Sequence, residues 1–207
     1  MKALFSFFSG LFLLSTSLVA QIKSPEQFLG YALGAKHTPH HLVQRYFEYI
    51  ATVAQDQVQL QQYGRTNEGR PLLLAVVASK ENKVRVEDIR VANLQLVYKK
   101  SPVATTAIEQ QPAIVWLSYN VHGNEASSTE AAMQTIYELV KENSPCADWL
   151  KNTVVLIDPC LNPDGRDRYV NWYQSVVGSQ FNPLPTAREH QEPWPGGRSN
   201  HYYFDLN

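Results

Sequence analysis

Apolar residues recur along the chain in distinct patterns, and each pattern predicts a different element. Leu42, Val43, Tyr46, Phe47, Ile50 and Val53 return at intervals of three and four, the repeat of one helix face. Thr38-Pro39 precedes them, a capping hydroxyl followed by the residue favoured at the first helical position. Val58–Tyr63 and Leu72–Val77 read as strands around Gly64-Arg-Thr-Asn-Glu-Gly-Arg-Pro71, a segment dense in turn formers. They predict a β-hairpin with a loop longer than two residues. Pro112–Leu117 and Thr153–Ile157 are short and almost continuously apolar, as in strands covered on both faces. Between them come a loop, Ser118–Asn124, and a helix from about Glu125 to Glu142 with Ala132, Ile136, Leu139 and Val140 inward.

A strand, a helix and a strand in that space predict a right-handed crossover with parallel strands. With the hairpin, this gives an α/β fold: a mixed β-sheet flanked by helices on both faces. Ser79–Gln111 is more polar and carries a weak helical stripe through Val86, Ile89, Leu94 and Val97. It is expected to be a surface helix and loop. Beyond Asn162 the chain turns polar, aromatic and rich in Pro and Gly, which predicts loops at the C-terminal ends of the strands.

Composition narrows the picture. The 207 residues include 18 Lys+Arg and 19 Asp+Glu, a formal net charge of −1 that gives no footprint for nucleic acid. At 44% hydrophobic and 18% charged, the chain is neither disordered nor a coiled coil. Met1-Lys2 and the apolar run Ala3–Val19, ending at the small Ala20, read as a secretory signal peptide. The other reading, a membrane anchor, has an apolar run marginal for spanning. The expectation is therefore a leader over 1–20 and one domain over 21–207, exported to a periplasmic or extracellular space without stable membrane association. Two Cys are too few for a disulfide-built scaffold; Cys146 and Cys160 either close a small loop or remain buried thiols.

Candidate chemistry sits at strand ends. His122-Gly-Asn-Glu125 places an imidazole and a carboxylate three residues apart, on one face of a first helical turn, where both can reach one metal ion. Asn162-Pro-Asp-Gly165 follows the second buried strand and by itself is a tight turn. The third stretch is Gly197-Arg198-Ser-Asn-His-Tyr-Tyr-Phe-Asp205-Leu-Asn207. His37, His40 and His41 have no Cys or carboxylate at ligand spacing beside them and are expected at a solvated helix start.

In this order the motifs resemble the zinc carboxypeptidases, the metallocarboxypeptidase family of carboxypeptidases A and B. The resemblance runs from the Tyr63–Leu72 hairpin through His122-x-x-Glu125 and Asn162-Pro-Asp-Gly165 to Asp205-Leu-Asn207. His-Gly-Asn-Glu is similar to the regulatory, carboxypeptidase D/E-like branch; the digestive branch has Arg at the position of Asn124. The resemblance implies one zinc ion held by His122 and Glu125. It implies an oxyanion-stabilising role for Arg198, nine residues before Asn207, and a role for Asn207 in holding the terminal carboxylate of a peptide or protein substrate. The third ligand, the general-base Glu and a site Tyr lie further on in the family, so this chain is expected to be a C-terminally truncated, catalytically incomplete fragment. His190 and His201 do not match the missing ligand. The competing expectations are an aspartoacylase-type N-acyl-amino-acid deacylase, a cell-wall peptide hydrolase, and an exported peptide-binding module without catalysis.

Overall fold

The computed structural model describes residues 21–98 and 108–207; the expected leader over 1–20 lies outside the described residues. A short helix the hydrophobic pattern did not predict, α1 (Pro25–Leu29), opens the structure. Ser24 and Gln27 cap it reciprocally, side chain to backbone, and Gly30 ends it at φ 77°. Helix α2 (His40–Val53) buries Val43, Tyr46, Phe47 and Ile50, as its periodicity predicts. Thr38 does not cap it. Its hydroxyl donates instead to Glu130 Oε2 at 2.8 Å, and Pro39 holds the cap position with no side-chain bond.

Strands β1 (Val58–Arg65) and β2 (Pro71–Val77) form the antiparallel hairpin, closed by a turn in which Gly69 takes φ 82°. The polar stretch that follows holds α3 (Lys80–Lys83) and α4 (Val86–Tyr98), of which only Ile89 is buried among α4 residues. Strand β3 (Ala113–Ser118), helix α5 (Ser127–Val140) and strand β4 (Thr153–Asp158) make the crossover unit, with β3 and β4 parallel. β2 pairs antiparallel with β4, so the order is β1-β2-β4-β3 and the sheet is mixed. Alternation sorts the layers: Ala75, Val77, Val155 and Ile157 face α2 and α5, whereas Val76 and Val154 meet Ile89 of α4 on the other face.

Two expectations are corrected. Among the described residues β3 is not covered on both faces: it is the edge of the four-stranded sheet, and Trp116 is 63% exposed. Its apolar run resembles that of β4 because periodicity carries no information on which strand lies at the edge. The segment after Asn162 is also not all loop. Helix α6 (Pro163–Val176) starts at an Asn162 side-chain cap with Pro at the first turn. Its buried face carries Asp164, Gly165 and Arg166 with Val170, so no apolar stripe announces it.

Arg166 is 0% exposed and ties three segments together. Its guanidinium donates to Ala126 O at 2.6 Å, Thr38 O at 3.0 Å and Glu130 Oε1 at 3.0 Å. Removing one partner of such a buried pair leaves an uncompensated charge and costs about 3–5 kcal/mol. His40 lies in the same interior, contrary to the expected solvated helix start; His37 packs on the Tyr169 and Tyr173 rings, and only His41 is exposed.

Both ring nitrogens of His40 lack a hydrogen-bond partner, and its exposure is 5%. Burial pushes its imidazole from 6.5 down to about 4, with Asp167 opposing and Arg70, Arg166 and Asp164 contributing less. The folded state therefore holds His40 neutral, while the unfolded chain takes up a proton below the ordinary value. This contribution is complete above pH 6.5 and is lost as pH falls toward 4, by about 3 kcal/mol. Denaturant unfolding of wild type and His40→Leu at pH 7 and pH 4 checks it: the variant is expected to lose less stability on acidification, by about that difference.

Candidate metal centre

The site forms where three segments meet at the C-terminal ends of β3 and β4. Asn120, at φ 57°, shapes the first. Its side-chain amide donates to the carbonyls of His122 (2.8 Å) and Glu125 (3.1 Å), and its backbone N–H donates to Ser128 Oγ. His122 and Glu125 thus sit in a turn just before α5, closed by Glu125 N–H to His122 O at 3.1 Å, not in the helix's first turn as expected. The turn has the same three-residue reach, so the side chains still converge.

The second and third segments approach through glycine. A Cβ on Gly123 would lie 2.1 Å from Arg166 N and Gly165 C. One on Gly165 would lie 2.3 Å from Gly197 O, and one on Gly197 would lie 2.5 Å from Tyr169 Cβ. No side chain fits at these contacts. Asn162 caps α6 by accepting from Gly165 N–H at 2.9 Å, and its amide reaches Arg198 O at 3.2 Å. Arg168 of α6 holds the last segment by its carbonyls, at Gly196 (2.8 Å) and Asn200 (3.2 Å). Asn200 then turns the chain, accepting from the N–H groups of Tyr202 and Phe204, and so presents Asp205.

His122, Glu125, Arg198 and Asp205 form one cluster. His122 Nδ1 faces Glu125 Oε1 at 2.8 Å, and Nε2 faces Asp205 Oδ1 at 2.9 Å. Arg198 Nε donates to Asp205 Oδ2 at 2.8 Å, and Nη1 lies 3.2 Å from His122 Nδ1. The His122 ring is buried, whereas Glu125, Arg198 and Asp205 open to solvent. The Glu125 hydrogen bond is the main cause that raises the His122 imidazole above its ordinary value, with burial opposing and Asp205 adding to it. Asp205 is held below the usual carboxylate range, first by the Asn207 N–H and, against some desolvation, by His122 and Arg198. Asn207 is exposed and reaches the cluster by its backbone N–H to Asp205 Oδ1 at 3.2 Å, not by its side chain.

The donor chemistry fits a zinc-type ion. A carboxylate only accepts, so with the ring proton on Nε2 and donated to Asp205, the Nδ1 lone pair faces Glu125 and both can serve a metal ion. A lone pair against a carboxylate oxygen at 2.8 Å needs a cation between them, a proton or a metal ion. Two donors are one fewer than the three protein ligands of a catalytic zinc site. Among the described residues no group of three His, Cys, Asp or Glu is arranged to hold a metal. His190 bonds Asn182 O and His201 bonds Glu68, so neither joins the cluster. Asp205 was missed as a site residue by sequence reasoning; its nearness to Arg198 and Asn207 was the available signal. Cys146 and Cys160 are free thiols, and Cys160 donates to Asn120 Oδ1 at 3.2 Å.

The sequence model of the zinc carboxypeptidase family matches residues 43–207. Carboxypeptidase A from Helicoverpa armigera is 18% identical over 69% of this chain and 28% of its own, with a TM-score of 0.47. The metallo-carboxypeptidase from Burkholderia cenocepacia is 17% identical over 63% of this chain and 28% of its own, TM-score 0.44. Bovine thrombin-activatable fibrinolysis inhibitor, solved in complex with tick carboxypeptidase inhibitor, is 14% identical over 80% of this chain and 47% of its own, TM-score 0.45. The chain thus spans less than half the length of each. No curated protein matches the sequence.

The glycine contacts generate a direct test. Gly123→Ala is expected to destabilise the fold by about 3 kcal/mol, because its Cβ meets backbone that cannot rotate away. Gly178→Ala, whose Cβ would meet nothing nearer than 3.5 Å, is expected to change stability by less than about 0.5 kcal/mol. Denaturant unfolding of the two variants against wild type reads the difference.

Proposed function

Because the chain belongs to the zinc carboxypeptidase family, we propose that it carries the first part of the active site of an exported metallocarboxypeptidase acting on peptide or protein C-termini. The observation that carries this reading is the facing of His122 Nδ1 and Glu125 Oε1, locked from behind by Asp205. His122 and Glu125 would hold the zinc ion, which when bound supplies Lewis acidity toward a water and a carbonyl. Asp205 keeps the His122 ring in one tautomer and orientation.

Arg198 is the charge-stabilising group. Asp205 Oδ2 anchors its Nε, which leaves Nη1 beside His122 and directed at the cluster. A guanidinium there lowers the energy of negative charge developing on the scissile carbonyl oxygen. Asn207 is the proposed contact for the substrate's terminal carboxylate, which would select chain ends over internal bonds. Export rests on the apolar leader Ala3–Val19. Among the described residues no helix is long and apolar enough to cross a membrane. With no third ligand at the cluster among the described residues, the 207-residue chain alone is proposed to be inactive.

Zinc titration of this chain by calorimetry, with a C-terminal peptide hydrolysis assay alongside, tests the reading. Weak one-to-one binding is expected, lost in His122→Ala and in Glu125→Gln, without hydrolysis. Tight binding with peptidase activity would overturn the incomplete-site proposal, and binding that survives both substitutions would overturn the ligand assignment.

A further inference from the structure

The turn from Asn200 to Phe204, which presents Asp205 to His122, has little to hold it in place by itself. Asn200 N–H donates to Phe204 O at 3.0 Å, and the Asn200 side chain accepts from the N–H groups of Tyr202 and Phe204. Those bonds lie inside the turn and tie it to nothing else. Tyr203 sits at φ 65°, a conformation unfavourable for any residue with a Cβ. Tyr202, Tyr203 and Phe204 are each more than half exposed, so burial does not fix them. Arg168 grips the backbone as far as the Asn200 carbonyl and then lies only against the Tyr203 ring, 5.5 Å from its centroid.

Among the described residues, two hydrogen bonds run from His201–Phe204 to another segment, and both end on the β1–β2 turn. The Tyr202 hydroxyl donates to Asn67 Oδ1 at 2.8 Å, and His201 Nδ1 donates to Glu68 Oε1 at 3.0 Å. A cavity of about 280 Å³ lies between the two segments, with Thr66 and Asn67 on one side and Asn200, His201, Tyr202 and Leu206 on the other. The polar bonds therefore carry the connection.

The β1–β2 turn is a firm support for them. Glu68 Oε2 takes Arg70 at 2.5 Å, and Arg70 is fixed to Asp164 and Asp167 of α6, each at 2.7 Å. The Thr66 hydroxyl also donates to Asp164, at 2.8 Å, and accepts from Arg70 N–H at 3.1 Å. Against partial desolvation, hydrogen bonds from Arg70 and His201 hold the Glu68 carboxyl below its ordinary value. Exposed pairs are weak when both side chains must be ordered to form them. Here Arg70 has already ordered Glu68, so His201 meets a preorganised acceptor.

We propose that the β1–β2 turn is a positioning device for the site: Asn67 and Glu68 seat the Asn200–Phe204 turn through Tyr202 and His201, and so hold Asp205 on His122 Nε2. That the seated Asp205 orients a zinc ligand rests on the metal-centre reading. The seating itself does not.

The test is hydrogen exchange by NMR on the full 207-residue chain without zinc. It follows the His122 ring N–H donated to Asp205, identified by its loss in His122→Gln, beside the backbone N–H of Ile157 in the β4 core. In the double variant Asn67→Ala, Glu68→Ala the ring proton is expected to exchange about tenfold faster relative to Ile157. Tyr202→Phe alone is expected to give about threefold, and to add nothing further in an Asn67→Ala background. Glu87→Ala, which removes an exposed ion pair elsewhere, is expected to leave the ratio unchanged. A ratio unchanged in both the double variant and Tyr202→Phe would overturn the proposal, as would equal acceleration of the two protons or a wild-type ring proton that exchanges too fast to detect. Additive effects of Asn67→Ala and Tyr202→Phe would overturn the assigned contact. No metal or substrate is present, so failure here is distinct from failure of the peptidase reading.

Discussion

Gly123, Gly165 and Gly197 meet backbone against backbone, and the approach of the terminal stretch to the His122–Glu125 turn depends on that closeness. The three glycines belong to segments far apart in sequence: the turn after β3, the first turn of α6 and the terminal stretch. A single methyl group at any of them would fall within 2.5 Å of a neighbouring segment. The glycines contribute little attraction themselves. They permit His122 and Arg198, each next to one of them, to come within 3.2 Å of each other.

What holds the segments in place is polar and buried. Arg166 clamps the start of α5 and the strand of chain before α2 to α6, with Glu130 as its counter-charge. On the outer side, Arg70 of the hairpin reaches Asp164 and Asp167, again on α6. α6 is therefore the piece on which the hairpin, the His122–Glu125 turn and the terminal stretch all lean. Its polar buried face serves as a joint between segments, whereas α2 and α5 form the apolar layer against the sheet. Ion pairs of this kind add specificity of arrangement more readily than net stability.

That division explains which parts were legible in the sequence. Apolar periodicity located α2, the hairpin, α5 and β4 because each buries hydrocarbon against the sheet. It could not place β3 at the edge, since an apolar run looks the same wherever the strand ends up. It missed α6 because the buried residues there are Asp164, Gly165 and Arg166, which no hydrophobic count scores. The capping signs were present, Asn162 followed by Pro163, and they were outweighed by the polar composition downstream. His40 was misjudged for the converse reason: an imidazole near a helix start reads as solvated until Arg70, Arg166 and Asp167 are seen to pack around it. At the site, the family resemblance singled out His122, Glu125 and Arg198. The structure brings all three together and adds Asp205, while Asn207 joins through its backbone alone.

In the proposed centre His122 and Glu125 share one metal ion, with His122 oriented by Asp205 and flanked by Arg198. Anomalous diffraction at the zinc absorption edge, from crystals of the protein grown with zinc, tests it most directly. A single peak is expected between His122 Nδ1 and the Glu125 carboxylate, with His122 Nε2 still bonded to Asp205. A peak elsewhere, or zinc bound through Nε2, would contradict it.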